Sequence, residues 1–434
     1  MRKICNQYKK LSSKRIKGYA LFFAIFIFAV VVILSSTLIL SAYYNNHFYN
    51  RVVFTDKLYN NAASGINLLL IHPDIVTETE PKLISLYQEY GDSIKLEKEQ
   101  WGVFDLFTVT AFHEKLKVKR SAIIGNYKYD STNVALFVAD QGKPISITGN
   151  AEIKGNCVLP ESGFKRAYIE GKNFTGSRMV DGKIKKSASS LPELNNNIAK
   201  LNVDFFLNKY VNNSNKVIAF EDLKKDTLAV SFQDSVTILY SSSPITLDYL
   251  FLQGKIIVLS EQNIHISNNA NLNDIICVAP SIQVENDFSG KLQLFARDSI
   301  IIEENCHLKY PSVIGITIPQ AGSKSPYIRI EDNTIINGLV FIHQGMTTLD
   351  KQPVLRIAKE AIIKGQAYCN GYTEIKGSVY GALYTTKFIL STASSIYDNM
   401  LMDADIDIFK LSSNYVGVDF INEQTQGSVI KWVY

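Results

Sequence analysis

Near the carboxyl end, "MDADID" sets Asp403, Asp405 and Asp407 at alternate positions, a spacing that would put three carboxylates on one face of a strand. Carboxylates so placed bind Ca²⁺ or, once desolvated, supply acid and base for sugar chemistry. No second acidic cluster lies close in sequence. The simpler reading is a charged solvent face, where charge also discourages edge-to-edge strand pairing. The stretch "YCNGYTEIKGSVYGALYTT" offers a second surface, because Tyr368, Tyr372, Tyr380 and Tyr384 could form an aromatic patch for a glycan. Packing at the corners of repeated strands is the simpler account of them. There is no GxSxG elbow, GxxxxGK[ST] loop, HExxH or GxGxxG after a strand. The six histidines are dispersed, with none at metal-ligand spacing from another. No catalytic, cofactor-binding or metal residue is assigned, and the chain reads as a non-enzyme. The five cysteines lie far apart without a CxxC pair and read as small core residues. Adjacent repeats could bring Cys277 near Cys306, so a disulfide stays open.

The elements that must position these groups begin with "KRIKGYALFFAIFIFAVVVILSSTLILSAYY", where the run after Lys17 carries no charge until Arg51. Tyr19 to Leu40 is 22 residues, about 33 Å of helix, enough to cross a hydrocarbon core of about 30 Å. A cleaved signal core is shorter, about 7–15 residues. Arg2, Lys3, Lys9, Lys10, Lys14, Arg15 and Lys17 precede the run without any acidic residue, which predicts a cytoplasmic amino end. Without these seven the chain holds 38 basic against 41 acidic residues, so its formal +4 is a topology signal and no footprint of nucleic-acid binding. Helix-like spacing continues through Val52, Val53, Leu58, Ala62, Ile66 and Leu69 to Pro73, predicting one helix from 19 to about 71.

Across the whole chain 46% of residues are hydrophobic and 20% charged, a composition that speaks against disorder and lets the part beyond the helix bury a large core. Pro81–Gly91 reads as a short helix. "WGVFDLFTVTAFH", "KVKRSAIIGNY" and "NVALFVAD" read as strands of a small sheet. A repeat then appears, with apolar pairs at Ile245/Leu247, Ile264/Ile266, Ile282/Val284, Ile300/Ile302, Ile328/Ile330, Leu355/Ile357 and Thr373/Ile375. Successive spacings are 19, 18, 18, 28, 27 and 18 residues. These numbers predict a β-solenoid of about 18-residue coils with occasional insertions, rather than an antiparallel β-domain. The block "PISITGNAEIKGNCVLP" has the same texture and reads as its start. The expected order is a basic cytoplasmic tail (1–18), the transmembrane helix and its extension (19–72), a small α+β region (73–139), first coils (140–190), an intervening helix and loop (191–240) and the main solenoid (241–434). The fold class is mainly β.

The opening stretch resembles the N-terminal segment of type IV pilin-like proteins, especially minor pilins and pseudopilins. It has basic residues, a candidate processing point at Gly18, then an aromatic residue and a long apolar helix running into an amphipathic half, with "AASGINLLL" as a small-residue stretch. It departs from the major-pilin pattern at Phe23, where that pattern has Glu. "AIIKGQAYCNGYTEIKGSVYGALYTT" is similar to rungs of bactofilin-like β-helical proteins. The resemblances imply a single-pass protein of a bacterial inner membrane, its body periplasmic or extracellular, acting as a minor pilin-like subunit or envelope scaffold. Expected partners are the membrane and pilin-like or envelope proteins, with no nucleic acid and no cofactor. The competing class is a tethered protein that binds or cleaves polysaccharide, with a glycan as ligand.

Overall fold

The computed structural model describes residues 19–77, 80–86, 92–130, 132–206, 216–320, 324–346, 351–421 and 426–433. The basic tail, Cys5 and Gly18 lie outside the described residues, as does part of the stretch expected to be a short helix. What is described of that stretch is a strand: Lys82–Ile84 pairs antiparallel with Asp92–Trp101. The chain is mainly β with one long N-terminal apolar helix.

That helix runs from Tyr19 to Ile71, 53 residues, and is long and apolar enough to cross a membrane. Its first part is exposed on every side. Burial starts at Leu58 and takes in Asn61, Ala62, Gly65, Ile66 and Leu69. These residues fall within about 140° of arc at 100° per residue, the single stripe of a helix packed on one surface. His72 and Pro73 end it, since proline cannot donate to the preceding turn.

The stripe packs on an antiparallel sheet ordered Lys82–Ile84, Asp92–Trp101, Phe104–His113, Leu116–Gly125 and Ser428–Val433. The expected strands around 104–113 and 116–125 are present, and the sheet is completed from the far end of the chain. Ile94, Leu96, Phe107, Val109 and Ala122 face the helix. Gly65 lies so close to Val109, Ile94 and Leu96 that a methyl there would clash.

The sheet's other face lies on a closed array of parallel strands. All seven repeat clusters meet in one ladder: Ile245, Ile264, Ile282, Ile300, Ile328, Leu355 and Thr373 are successive partners. Each layer is folded into short straight stretches separated by corners, as in Asn263–Ile266, then 271–273, then 275–279. A left-handed backbone at Asp274 turns one such corner. Inward residues of the ladder are fully buried while Gln283, between Ile282 and Val284, is exposed.

Two expectations about order change. Val134–Val138, read as a strand of the small sheet, pairs parallel with Ser378–Ser391 and Asn156–Leu159. The block around 145–159, read as the start of the array, therefore stacks beyond its last long strand, next to Asp405–Asp407. The chain then returns through the helix Asn196–Phe206 to begin the opposite end near Lys216.

Candidate functional site

The three carboxylates sit where chain segments from both halves meet at the seam of the array. Asp405–Asp407 is a strand held between Ser378–Val379 on one side and Glu152–Lys154 on the other, with Ile406 inward. Asp403 is not on that strand. It has a left-handed backbone (φ 57°) in the preceding corner, so the three do not share one face.

Each carboxylate meets a cation, Lys410 from close in sequence and Lys172 and Lys154 from the far half of the chain. Asp403 pairs with Lys172 and accepts the Asn150 N–H at 2.9 Å. Burial alone would raise its carboxyl, but these two contacts outweigh it and hold it below the ordinary carboxylate range. Asp405 accepts from Lys410 Nζ at 2.6 Å. Asp407 is buried, accepts the Phe409 N–H at 2.9 Å and lies 3.9 Å from Lys154 and 4.0 Å from Lys410. Lys410 is also 4.5 Å from the centre of the Tyr380 ring. The group is an ion-paired seam. Lysines and backbone N–H groups meet all three carboxylates on one side or the other, although Asp405 Oδ1 is buried without a hydrogen-bond partner, and among the described residues no three His, Cys, Asp or Glu side chains are placed to hold a metal ion.

The tyrosines do not form an aromatic surface. Tyr368 is buried and donates to the Pro192 carbonyl at 3.1 Å, and its ring packs 5.7 Å from Phe420 and 6.4 Å from Tyr384. Tyr384 is buried as well, and burial pushes both phenols well above their ordinary range. Tyr372 and Tyr380 are half-exposed, each beneath a lysine. Cys157, Cys277, Cys306 and Cys369 are free and buried, so Cys277 and Cys306 are not joined. Burial raises the Cys157 thiol to about 12 and the Cys306 thiol to about 11, which makes both poor nucleophiles.

The feature that separates this chain from an inert β-protein is the helix. Ala20, Ala24 and Ser35 are exposed, as a helix–helix face requires. Ala62 and Gly65, from the small-residue stretch "AASGINLLL", are buried against the chain's own sheet. Sequence reading also missed what fixes that sheet to the array. Gln293 is buried between them, donating to the Trp101 carbonyl at 3.0 Å and accepting the Val103 N–H at 3.1 Å. Asp274, its side chain largely covered, takes Lys431 at 2.6 Å and Lys291 at 3.2 Å. Lys255, buried itself, reaches Glu99 at 2.5 Å. The available signal was the run of consecutive apolar residues in "IICVA" and "LFA", since strands covered on both faces lose their alternation.

No family model and no curated protein sequence matches the chain. Among solved structures it is similar to the competence-associated pilin ComZ from Thermus thermophilus, with 9% sequence identity over 82% of this chain and 86% of that one, at a TM-score of 0.21.

Proposed function

We propose that the chain is a membrane-anchored structural protein, a minor pilin-like subunit or envelope scaffold, whose closed parallel array is a β-solenoid presented rigidly outside the cytoplasm. The observation that carries this is the continuity of one helix, Tyr19–Ile71, exposed and apolar at its start and buried in the body at its end. A tether of flexible linker would leave the body free to tumble. Here three largely buried side chains, Leu58, Ile66 and Leu69, each contributing about 1.5–3 kcal/mol, fix the body to its anchor. In this reading the seven basic residues keep the amino end in the cytoplasm, the inner membrane holds the span, and sister or envelope proteins meet it through Ala20, Ala24 and Ser35. No catalytic role is assigned to any residue.

Protease added to spheroplasts tests the arrangement. The body is expected in the membrane fraction and digested from outside; a body recovered soluble, or protected while the inner membrane is intact, overturns it. Replacing residues 19–40 with an unrelated spanning helix is expected to keep membrane insertion and abolish chemical cross-links to neighbouring proteins. Cross-links that survive the swap reduce the stretch to a plain anchor.

A further inference from the structure

We infer that Tyr43–Asn50 lies in the headgroup layer of the bilayer and that the hairpin tip Glu114–Lys117, with Arg51, stands on lipid phosphates. The inference rests on the proposed membrane span and adds where the membrane surface meets the folded body.

Three observations converge. The first is length. From Tyr19 to Asn50 there are 32 helical residues without Asp, Glu, Lys or Arg, about 48 Å of helix, whereas a hydrocarbon core takes about 30 Å and a bilayer with both headgroup layers about 40–45 Å. Tyr19–Ala42 suffices for the core, and the composition changes immediately afterwards to Tyr43, Tyr44, Asn45, Asn46, His47, Phe48, Tyr49 and Asn50. Amphipathic rings and uncharged amides suit the wet boundary between hydrocarbon and water.

The second is distribution. Tyr43, Tyr44, Phe48 and Tyr49 are 62–69% exposed. At about 100° per residue they point near 0°, 100°, 140° and 240°, encircling the helix. A protein partner covers one stripe, as the body does further along. A ring of aromatics on all sides fits an environment that is the same on all sides.

The third is the level of the body. Gly65 lies against Val109 and the Phe54 ring stacks on His113 with centroids 4.1 Å apart, so the strand from Val109 to His113 runs back along the helix toward its amino end. The turn at Glu114 and Lys115 extends about one further residue, roughly 3.3 Å. That brings the hairpin tip near the level of Arg51. Lys115 and Lys117 are exposed there, and with Arg51 and Lys57 they number four against the three acidic residues at this end, Glu114, Asp56 and Asp92 opposite His113. Basic side chains at that height meet lipid phosphate.

The test uses the full chain with Cys5→Ser in vesicles of equal parts phosphatidylcholine and phosphatidylglycerol. Single fluorophores are placed by Ile33→Cys, Tyr44→Cys, Tyr49→Cys, Asp56→Cys or Lys115→Cys; the four described native thiols are buried and stay unlabelled in the folded protein. A headgroup spin label is expected to quench positions 44, 49 and 115, a mid-chain spin label position 33, and aqueous iodide position 56. If 44 and 49 are quenched by iodide but not by the headgroup label, while 33 still responds to the mid-chain label, the boundary assignment is overturned and the span stands. If 33 escapes the mid-chain label, the span itself is overturned. If 115 alone escapes the headgroup label, the footing on phosphate is overturned.

Discussion

Gln293 is the residue on which the junction between sheet and array turns. It occupies a ladder position whose neighbours above and below are Ile276 and Val313, so an apolar side chain would continue the pattern of its column. It is polar because the hairpin at Trp101–Val103 turns into the array there and presents a carbonyl and an N–H away from water. Gly102 between them has φ 62°, and a methyl on it would fall 1.9 Å from the Gln293 Oε1. Gln293→Leu preserves volume but strands both backbone groups. An unsatisfied buried group costs about 1–3 kcal/mol, so a loss of at least about 2 kcal/mol is expected in denaturant titration. A change within ±0.5 kcal/mol would mean that water replaces the amide. Gly102→Ala is expected to be no milder, since it adds a left-handed alanine to the clash.

At the scale of elements, the ladder is where sequence spoke most directly. The seven apolar pairs found by spacing alone are consecutive partners because parallel strands stack equivalent residues, so a repeat in sequence becomes a contact in space. The insertions of nine or ten residues leave the register of Ile300 with Ile328 and of Ile328 with Leu355 intact. Ile282 and Gln283 separate the inward from the outward position. Ile282→Asp places a charge among Ile264 and Ile300 with no partner and is expected to cost more than about 4 kcal/mol or prevent folding. Gln283→Lys is expected to leave the thermal midpoint unchanged. Equal tolerance at both positions would show that Ile282 does not face the interior. What the repeat did not tell is which strand ends it. "VALFV" at 134 has the same texture as a strand of the small sheet, and its true partner, Leu383 opposite Leu136, lies far along the chain. Local periodicity specifies that a strand exists and which face is apolar, but not which edge receives it. The distant lysines at this seam, Lys172 and Lys154, were illegible for the same reason. Lys172 is 231 residues from Asp403, and only the stacking of the earlier block on the last long strand brings them together.

For the whole molecule, the helix legible from residue 19 to 71 is joined to the array through a sheet that belongs to neither, and this sheet is closed by the last residues described. Ser428–Val433 pairs with Leu116–Gly125, Gly427 donates to the Leu70 carbonyl at the end of the helix at 3.1 Å, and Lys431 reaches Asp274 on the array at 2.6 Å. One short strand thus touches all three layers. Its removal should act on them together. Without residues 428–434, Ala122, Ile123 and Ile124 lose their covered edge, and Asp274 keeps only Lys291. Asp274 would then hold an ion pair with half its compensation. The array keeps its own interior, built from the ladder columns, and is expected to survive. Hydrogen exchange on the truncated chain, in detergent or vesicles, is therefore expected to show faster exchange over residues 116–125 and 58–70 with little change over 275–302. Uniform loss of protection would mean that the array depends on the sheet for its own fold. Unchanged protection over 116–125 would mean that the strand is an accessory, and that the helix and sheet hold to the array through their shared apolar cluster, Gln293, the Lys255–Glu99 pair and the Lys119–Gln233 hydrogen bonds.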